Sequence, residues 1–215
     1  MMHSVRIAIA LVLMTTGRVA TAWQTTDVGD VAPDWETLEG VDGEFYGARD
    51  LQAVDVLVIC FTSNTCPYSV DYEDRLKALH KRYEGNSAVR LIAINSNATD
   101  GDSLKKMIDR AQEKEFRFLY LRDKEQKVAT AFGAIYTPEF FVLDRQRKVV
   151  YKGAMDDSSK AGEVTKSYVE LAIAAALAGE SPKVTRTGAR GCAIRFPRKR
   201  RRRPASPPSA AKPGS

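Results

Sequence analysis

The junction at residues 54–69 constrains this chain more than any other segment. Val54-Asp55-Val56-Leu57-Val58-Ile59-Cys60-Phe61 is apolar at all but one position. A run of this kind reads as a strand covered on both faces. It leads through Thr62-Ser63-Asn64-Thr65-Cys66-Pro67 into helical periodicity, with Tyr72, Leu76, Leu79 and Tyr83 on one helix face. A doubly covered strand turning straight into a helix belongs in a sheet with helices packed on both faces.

The remaining segments fit that frame. Residues 89–95 (VRLIAIN) read as a second strand. Asp102 or Ser103 caps a second helix with Leu104, Met107, Ile108 and Ala111 inward. Residues 116–121 form a short strand, and Val128, Ala131 and Phe132 mark a short helix ended by Gly133. Residues 140–143 and 148–151 read as a hairpin, and a last helix covers 162–178 with Gly179 as its cap. Residues 28–47 hold short β-like pieces around Gly40 and Gly43. The order predicts an α/β fold: a mostly parallel central sheet, an antiparallel edge hairpin, and helices on both faces. There is no internal repeat, GxGxxG or P-loop.

Both ends differ from this body. Arg6, the apolar run IAIALVLM and Ala20-Thr21-Ala22 have the layout of a secretory signal peptide over residues 1–22, the alternative being a buried N-terminal helix. The apolar run is shorter than the roughly 20 residues that span a bilayer. The formal charge of +6 belongs to the C-terminus: all acids precede Thr185, and ten basic residues follow it, six of them at 198–203. The tail at 197–215 is rich in Pro, Ser and Ala and is expected to be disordered, a basic segment able to bind acidic surfaces. In an exported protein it is not a specific nucleic-acid reader. The chain thus divides into a signal peptide, a domain over 27–196 and a basic tail, with an exported (periplasmic or secreted) location.

The chemistry rests on cysteine. Cys60, Cys66 and Cys192 are the three present. An odd number in an exported chain leaves at least one thiol outside an internal disulfide. Their scatter, with few histidines, gives no metal-ligand spacing, and no cofactor is expected. Cys60 ends an apolar strand and reads as a core residue. Cys66 sits where the strand turns into the helix, with Pro67 in the first turn. First-turn N–H groups and the helix dipole lower a thiol pKa there and favour the reactive thiolate; the alternative is an inert, half-buried cysteine. Ser63 stands three residues before Cys66, so the motif is S-x-x-C. Thr137-Pro138 opens a later strand, where a proline can be cis. His80 is about 21 Å along the helix from Cys66, too far to act as its base. Asp156-Asp157 reads as a cap on the approach to the last helix, the alternative being a proton-shuttling role.

Taken together, GDVAPDW at 29–35, FTSNTCP at 61–67, AINSN at 93–97, FGAIYTPEFFVLD at 132–144, YKGAMDD at 151–157 and GCAIRF at 191–196 resemble the peroxiredoxin-like redoxins of the alkyl hydroperoxide reductase/thiol-specific antioxidant superfamily. The resemblance implies a thioredoxin fold, Cys66 as the reactive cysteine and Pro138 as a cis-proline beside it. Two positions depart from the pattern. Ser63 stands where many relatives carry the first cysteine of C-x-x-C, so no disulfide forms within the motif. Ile59 stands where true peroxiredoxins carry proline, and Tyr136-Thr137-Pro138-Glu139 lacks the arginine expected there.

The expected activity is that of an exported thiol oxidoreductase. Cys66 is oxidised by a peroxide or a protein disulfide, Ser63 hydrogen-bonds its sulfur, and Thr137 and Pro138 complete the site. Cys192 is a candidate resolving thiol, the alternative being a free or structural cysteine. An external thiol acts as reductant. A monothiol disulfide exchanger or isomerase, and a thioredoxin-fold binding module without chemistry, are the rival readings.

Overall fold

A computed structural model describes residues 25–196. The expected signal peptide and basic tail lie outside the described residues.

In chain order the elements are β1 (Leu38–Gly40), β2 (Phe45–Tyr46), β3 (Val56–Thr62), α1 (Pro67–Tyr83), β4 (Val89–Asn95), α2 (Leu104–Glu113), β5 (Leu119–Arg122), α3 (Lys127–Phe132), β6 (Tyr136–Thr137), β7 (Glu139–Leu143), β8 (Val149–Gly153), α4 (Tyr168–Leu177) and β9 (Cys192–Ala193). The main sheet has the order β2-β1-β5-β4-β3-β7-β8. Its centre, β3-β4-β5, is parallel. The β7–β8 hairpin is the expected antiparallel edge, and the pieces around Gly40 and Gly43 form a second hairpin, β1–β2, at the other edge.

β3 is central and every one of its residues is buried. Because side chains alternate across a strand, Val56, Val58 and Cys60 face one core with Tyr72, Leu76 and Leu79 of α1, Met107 of α2, and Val169 and Ile173 of α4. Leu57, Ile59 and Phe61 face the other with Val128, Ala129 and Phe132 of α3. There Phe61, Phe132 and Phe141 meet at centroid distances of 5.2–5.7 Å. Each such fully buried side chain contributes about 1.5–3 kcal/mol, and the strand becomes a rigid support for the turn at its carboxyl end.

Two boundaries differ substantially from the expected ones. β5 starts at Leu119 rather than at residue 116, because α2 ends in a Schellman turn. Glu115 adopts φ 53°, and the N–H groups of Glu115 and Phe116 bond back to the carbonyls of Gln112 and Ala111. α4 begins at Tyr168 rather than at residue 162. The Asp157 carboxylate accepts the Thr165 and Lys166 N–H groups at 2.9 and 3.1 Å and the Thr165 hydroxyl. These bonds keep that segment out of the helix. Asp157 therefore organises the approach to the last helix, whereas Asp156 turns inward to Arg75 at 2.7 Å.

Candidate active site

β3 ends at Thr62 and α1 starts at Pro67, so residues 63–66 form the turn between them. Cys66 is the N-cap residue of α1, extended at φ −87° and ψ 116°, with Pro67 in the first turn. Its sulfur stands at the positive end of the helix, where the first N–H groups lack helical partners. The Ser69 N–H faces it without closing a cap hydrogen bond. Cys66 is only 2% exposed. Its thiol donates to the Thr137 carbonyl at 2.9 Å. The Thr137–Pro138 bond is cis, as the resemblance implied.

A small second sheet completes the arrangement. β6 pairs with β9, placing Thr137 opposite Cys192 and Tyr136 opposite Ala193. The Ile194 N–H donates to the Ile135 carbonyl at 2.8 Å, and the Thr137 hydroxyl donates to the Cys192 carbonyl at 3.4 Å. Cys192 thereby comes beside Cys66 from late in the chain, and each thiol influences the ionisation of the other. Both thiols are free, and Cys192 is partly exposed. Gly191 allows this approach: a Cβ there would stand 2.0 Å from the Thr137 carbonyl oxygen.

The neighbours set the two thiols apart. Burial raises the Cys66 pKa, but the Cys192 thiol, the Thr137 hydroxyl and the Ser69 and Cys192 N–H groups around the sulfur favour the charged form more strongly, and the net shift is downward. Cys192 is pushed up to about 11 by burial, by its hydrogen bond to Cys66 and by the negative charge there. Cys66 is thus the thiol that ionises first. Burial alone pushes the Cys60 thiol up, in keeping with a core residue.

Ser63 does not reach the sulfur as expected. Its hydroxyl donates to Asp102 at 3.0 Å and accepts the Thr65 N–H at 3.1 Å. Asp102 is fully buried. One of its oxygens accepts from Ser63, the Asn64 N–H at 2.7 Å and the Asn95 amide at 2.8 Å. The other accepts from the Thr65 and Thr99 hydroxyls at 2.7 and 2.5 Å. Burial raises its pKa, and these donors more than reverse that. Tyr120 extends the network, donating to the Asn64 side chain at 2.8 Å and accepting from Asn95 at 3.0 Å. Ser63 is therefore a positioning residue, part of the scaffold that fixes the turn carrying Cys66.

Sequence reasoning offered Asp102 or Ser103 as the cap of the second helix, and Ser103 is the N-cap residue. The only signal for the network was a polar cluster at 95–103 closely following an apolar strand. His80 lies at the far end of α1 with its ring 6.2 Å from that of Phe118, remote from the thiols. Among the described residues, no group of three His, Cys, Asp or Glu is placed to hold a metal ion. A cavity of about 970 Å³ is walled by Trp35, Leu38, Phe45, Leu104 and Phe132, and neither Cys66 nor Cys192 lines it.

Residues 28–152 match the model of the AhpC/TSA family. The chain belongs to the AhpC/TSA family. This span holds Cys66, the Asp102 network and the cis-proline, while Cys192 lies beyond it. Two solved structures are similar over most of the AhpC/TSA chain. A hypothetical protein from Sinorhizobium meliloti is 30% identical, with 81% of this chain and 97% of that one covered at a TM-score of 0.74. An uncharacterized conserved protein from Geobacillus kaustophilus is 32% identical, with 81% and 94% covered, also at 0.74. The peroxidoxin BcpB from Mycobacterium tuberculosis, 21% identical with 63% and 90% covered at 0.52, shares the fold. No curated protein matches the chain. The fold is therefore that of a thioredoxin-like redoxin, and the family that of peroxiredoxin-like thiol oxidoreductases.

Proposed function

We propose that the protein is an exported, peroxiredoxin-like thiol oxidoreductase in which Cys66 is the oxidant-reactive thiol and Cys192 resolves it. The observation that carries this reading is the β6–β9 pairing, which sets Cys192 opposite Thr137 and against Cys66. The Cys66 thiolate attacks a peroxide oxygen. A sulfur–oxygen bond forms, the oxygen–oxygen bond breaks, and the leaving alkoxide or hydroxide takes up a proton. The Cys192 thiolate then attacks the sulfenic sulfur; the Cys66–Cys192 disulfide forms, the sulfur–oxygen bond breaks, and the leaving hydroxide takes up a proton to become water. An external thiol reductant restores both thiols.

The electrostatics favour this order. While Cys66 is a thiolate, its charge helps to keep Cys192 protonated and a hydrogen-bond donor. A neutral sulfenic acid removes that charge, so Cys192 ionises more readily once it is needed. Thr137 and Pro138 act beside the sulfur, and Ser63 acts through the turn.

The apolar segment and small-residue site before Trp23 support export. The six basic residues at 198–203 suit attachment to acidic surfaces.

The test is to treat the reduced protein with one equivalent of hydrogen peroxide and map all three cysteines by non-reducing peptide mass spectrometry, alongside Cys66→Ser. A Cys66–Cys192 disulfide absent from the variant is the expected result. An unmodified Cys66 under conditions that oxidise free cysteine would overturn the reading.

A further inference from the structure

The segment running from Gly191 to Arg195 does more than deliver Cys192. It fills the backbone edge of Tyr136–Thr137, the edge nearest the Cys66 sulfur. It lies so close that a Cβ on Gly191 would meet the Thr137 carbonyl oxygen at 2.0 Å. Beyond the cysteine it is anchored repeatedly. Ile194 is 5% exposed and sits in the core of the α3 face. The Arg195 N–H donates to the Asn97 side chain at 2.8 Å. The Arg195 carbonyl accepts from the Ala98 N–H at 3.2 Å and from the Gln126 amide at 2.8 Å. Cys66 beneath it is almost wholly buried, whereas Cys192 is partly exposed.

We propose that this segment is a strap that determines oxidant size: Cys66 takes a small peroxide, and protein or peptide disulfides are kept from it. The inference deepens the reading above and rests on it for the reactive role of Cys66. Thiol–disulfide exchange brings three sulfurs into line and leaves a mixed disulfide with the partner's chain attached to the attacking cysteine. That chain needs room at Cys66 and a free approach along the Tyr136–Thr137 edge, and the strap occupies both. Attack on hydrogen peroxide adds one oxygen to sulfur and releases water, a change that needs far less room. A macromolecular thiol meets Cys192 instead.

The test uses the full chain in a Cys192→Ser background, so that Cys66 reports its own reactions without internal disulfide formation. Reduced protein is exposed separately to hydrogen peroxide, with dimedone trapping the sulfenic acid, and to glutathione disulfide, with the glutathionyl adduct read by mass spectrometry. Ile194→Ala and, independently, Gly191→Val loosen the strap. The expected result is a dimedone adduct with the strap intact and a slow glutathionyl adduct. Loosening then raises the ratio of glutathionylation to peroxide oxidation by about tenfold or more, as for access gated by local opening. Equal glutathionylation rates with the strap tight and loose, or a parallel rise in both reactions, would overturn the strap. Absence of a sulfenic acid in every variant would overturn the peroxide chemistry instead, and the glutathione comparison would still decide whether the strap excludes disulfides.

Discussion

Replacing Asp102 separates charge from hydrogen-bond satisfaction at the turn that carries Cys66. One carboxylate oxygen accepts from the Ser63 hydroxyl, the Asn64 N–H and the Asn95 amide, and the other from two threonine hydroxyls. In Asp102→Asn the amide oxygen can take the first position and the amide NH₂ the second, because hydroxyls rotate to accept. Only charge assistance is lost, a cost of about 1–2 kcal/mol. In Asp102→Ala the Asn64 and Asn95 donors are orphaned in a buried site, at about 1–3 kcal/mol each, or about 4 kcal/mol together. With a urea m-value of about 2 kcal/mol/M, the unfolding midpoint falls by about 0.5–1 M for asparagine and about 2 M for alanine. Acid provides a second reading. Because the fold holds the Asp102 carboxyl below its ordinary range, the stability contributed by its charge is fully present above about pH 4 and is lost as pH falls through the lowered value. The advantage of the wild type over Asp102→Asn therefore shrinks below about pH 4. Equal losses for asparagine and alanine, or a gap between wild type and asparagine that ignores pH from about 7 to 3, would refute the account.

Three further outcomes are expected. Cys192→Ala removes a donor to the Cys66 sulfur, so the pH profile of Cys66 alkylation by iodoacetamide moves to higher pH; an unmoved profile would show that Cys192 does not stabilise the thiolate. Arg75→Ala leaves Asp156, whose side chain is 4% exposed, without its partner at 2.7 Å; the cost is about 3–5 kcal/mol, read as a fall in Tm of about 6 °C or more. Gly191→Ala forces a Cβ against the Thr137 carbonyl, costs about 1–3 kcal/mol and speeds hydrogen exchange at the Ile194 amide; protection equal to wild type would show that the close approach imposes no constraint.

The sequence disclosed what local pattern controls. The unbroken apolar run of β3, the i, i+4, i+7 spacing of Tyr72, Leu76 and Leu79, and Pro67 after Cys66 each act over a few residues, so the strand, the helix and the thiol at their junction were readable. The start of α4 was not, because it depends on Asp157 capturing N–H groups eight and nine positions away. The expected role of Ser63 failed for a related reason. Spacing puts its hydroxyl near the sulfur, but a charged acceptor from a segment 39 positions later competes for the proton and prevails. The meeting of Cys192 with Cys66 depends on a two-residue ladder too short to leave a periodic signal. Gly191 and GCAIRF marked the place only through resemblance.

The late position of β9 also affects how the protein is made. All seven strands of the main sheet lie before Gly191. Cys192 is therefore the last of the three cysteines to be synthesised, and it follows every strand that positions Cys66. If the remainder of the domain folds without β9, a chain ending before Gly191 carries Cys66 without its cover, and on the strap proposal completion of the C-terminus divides a promiscuous thiol from a selective one.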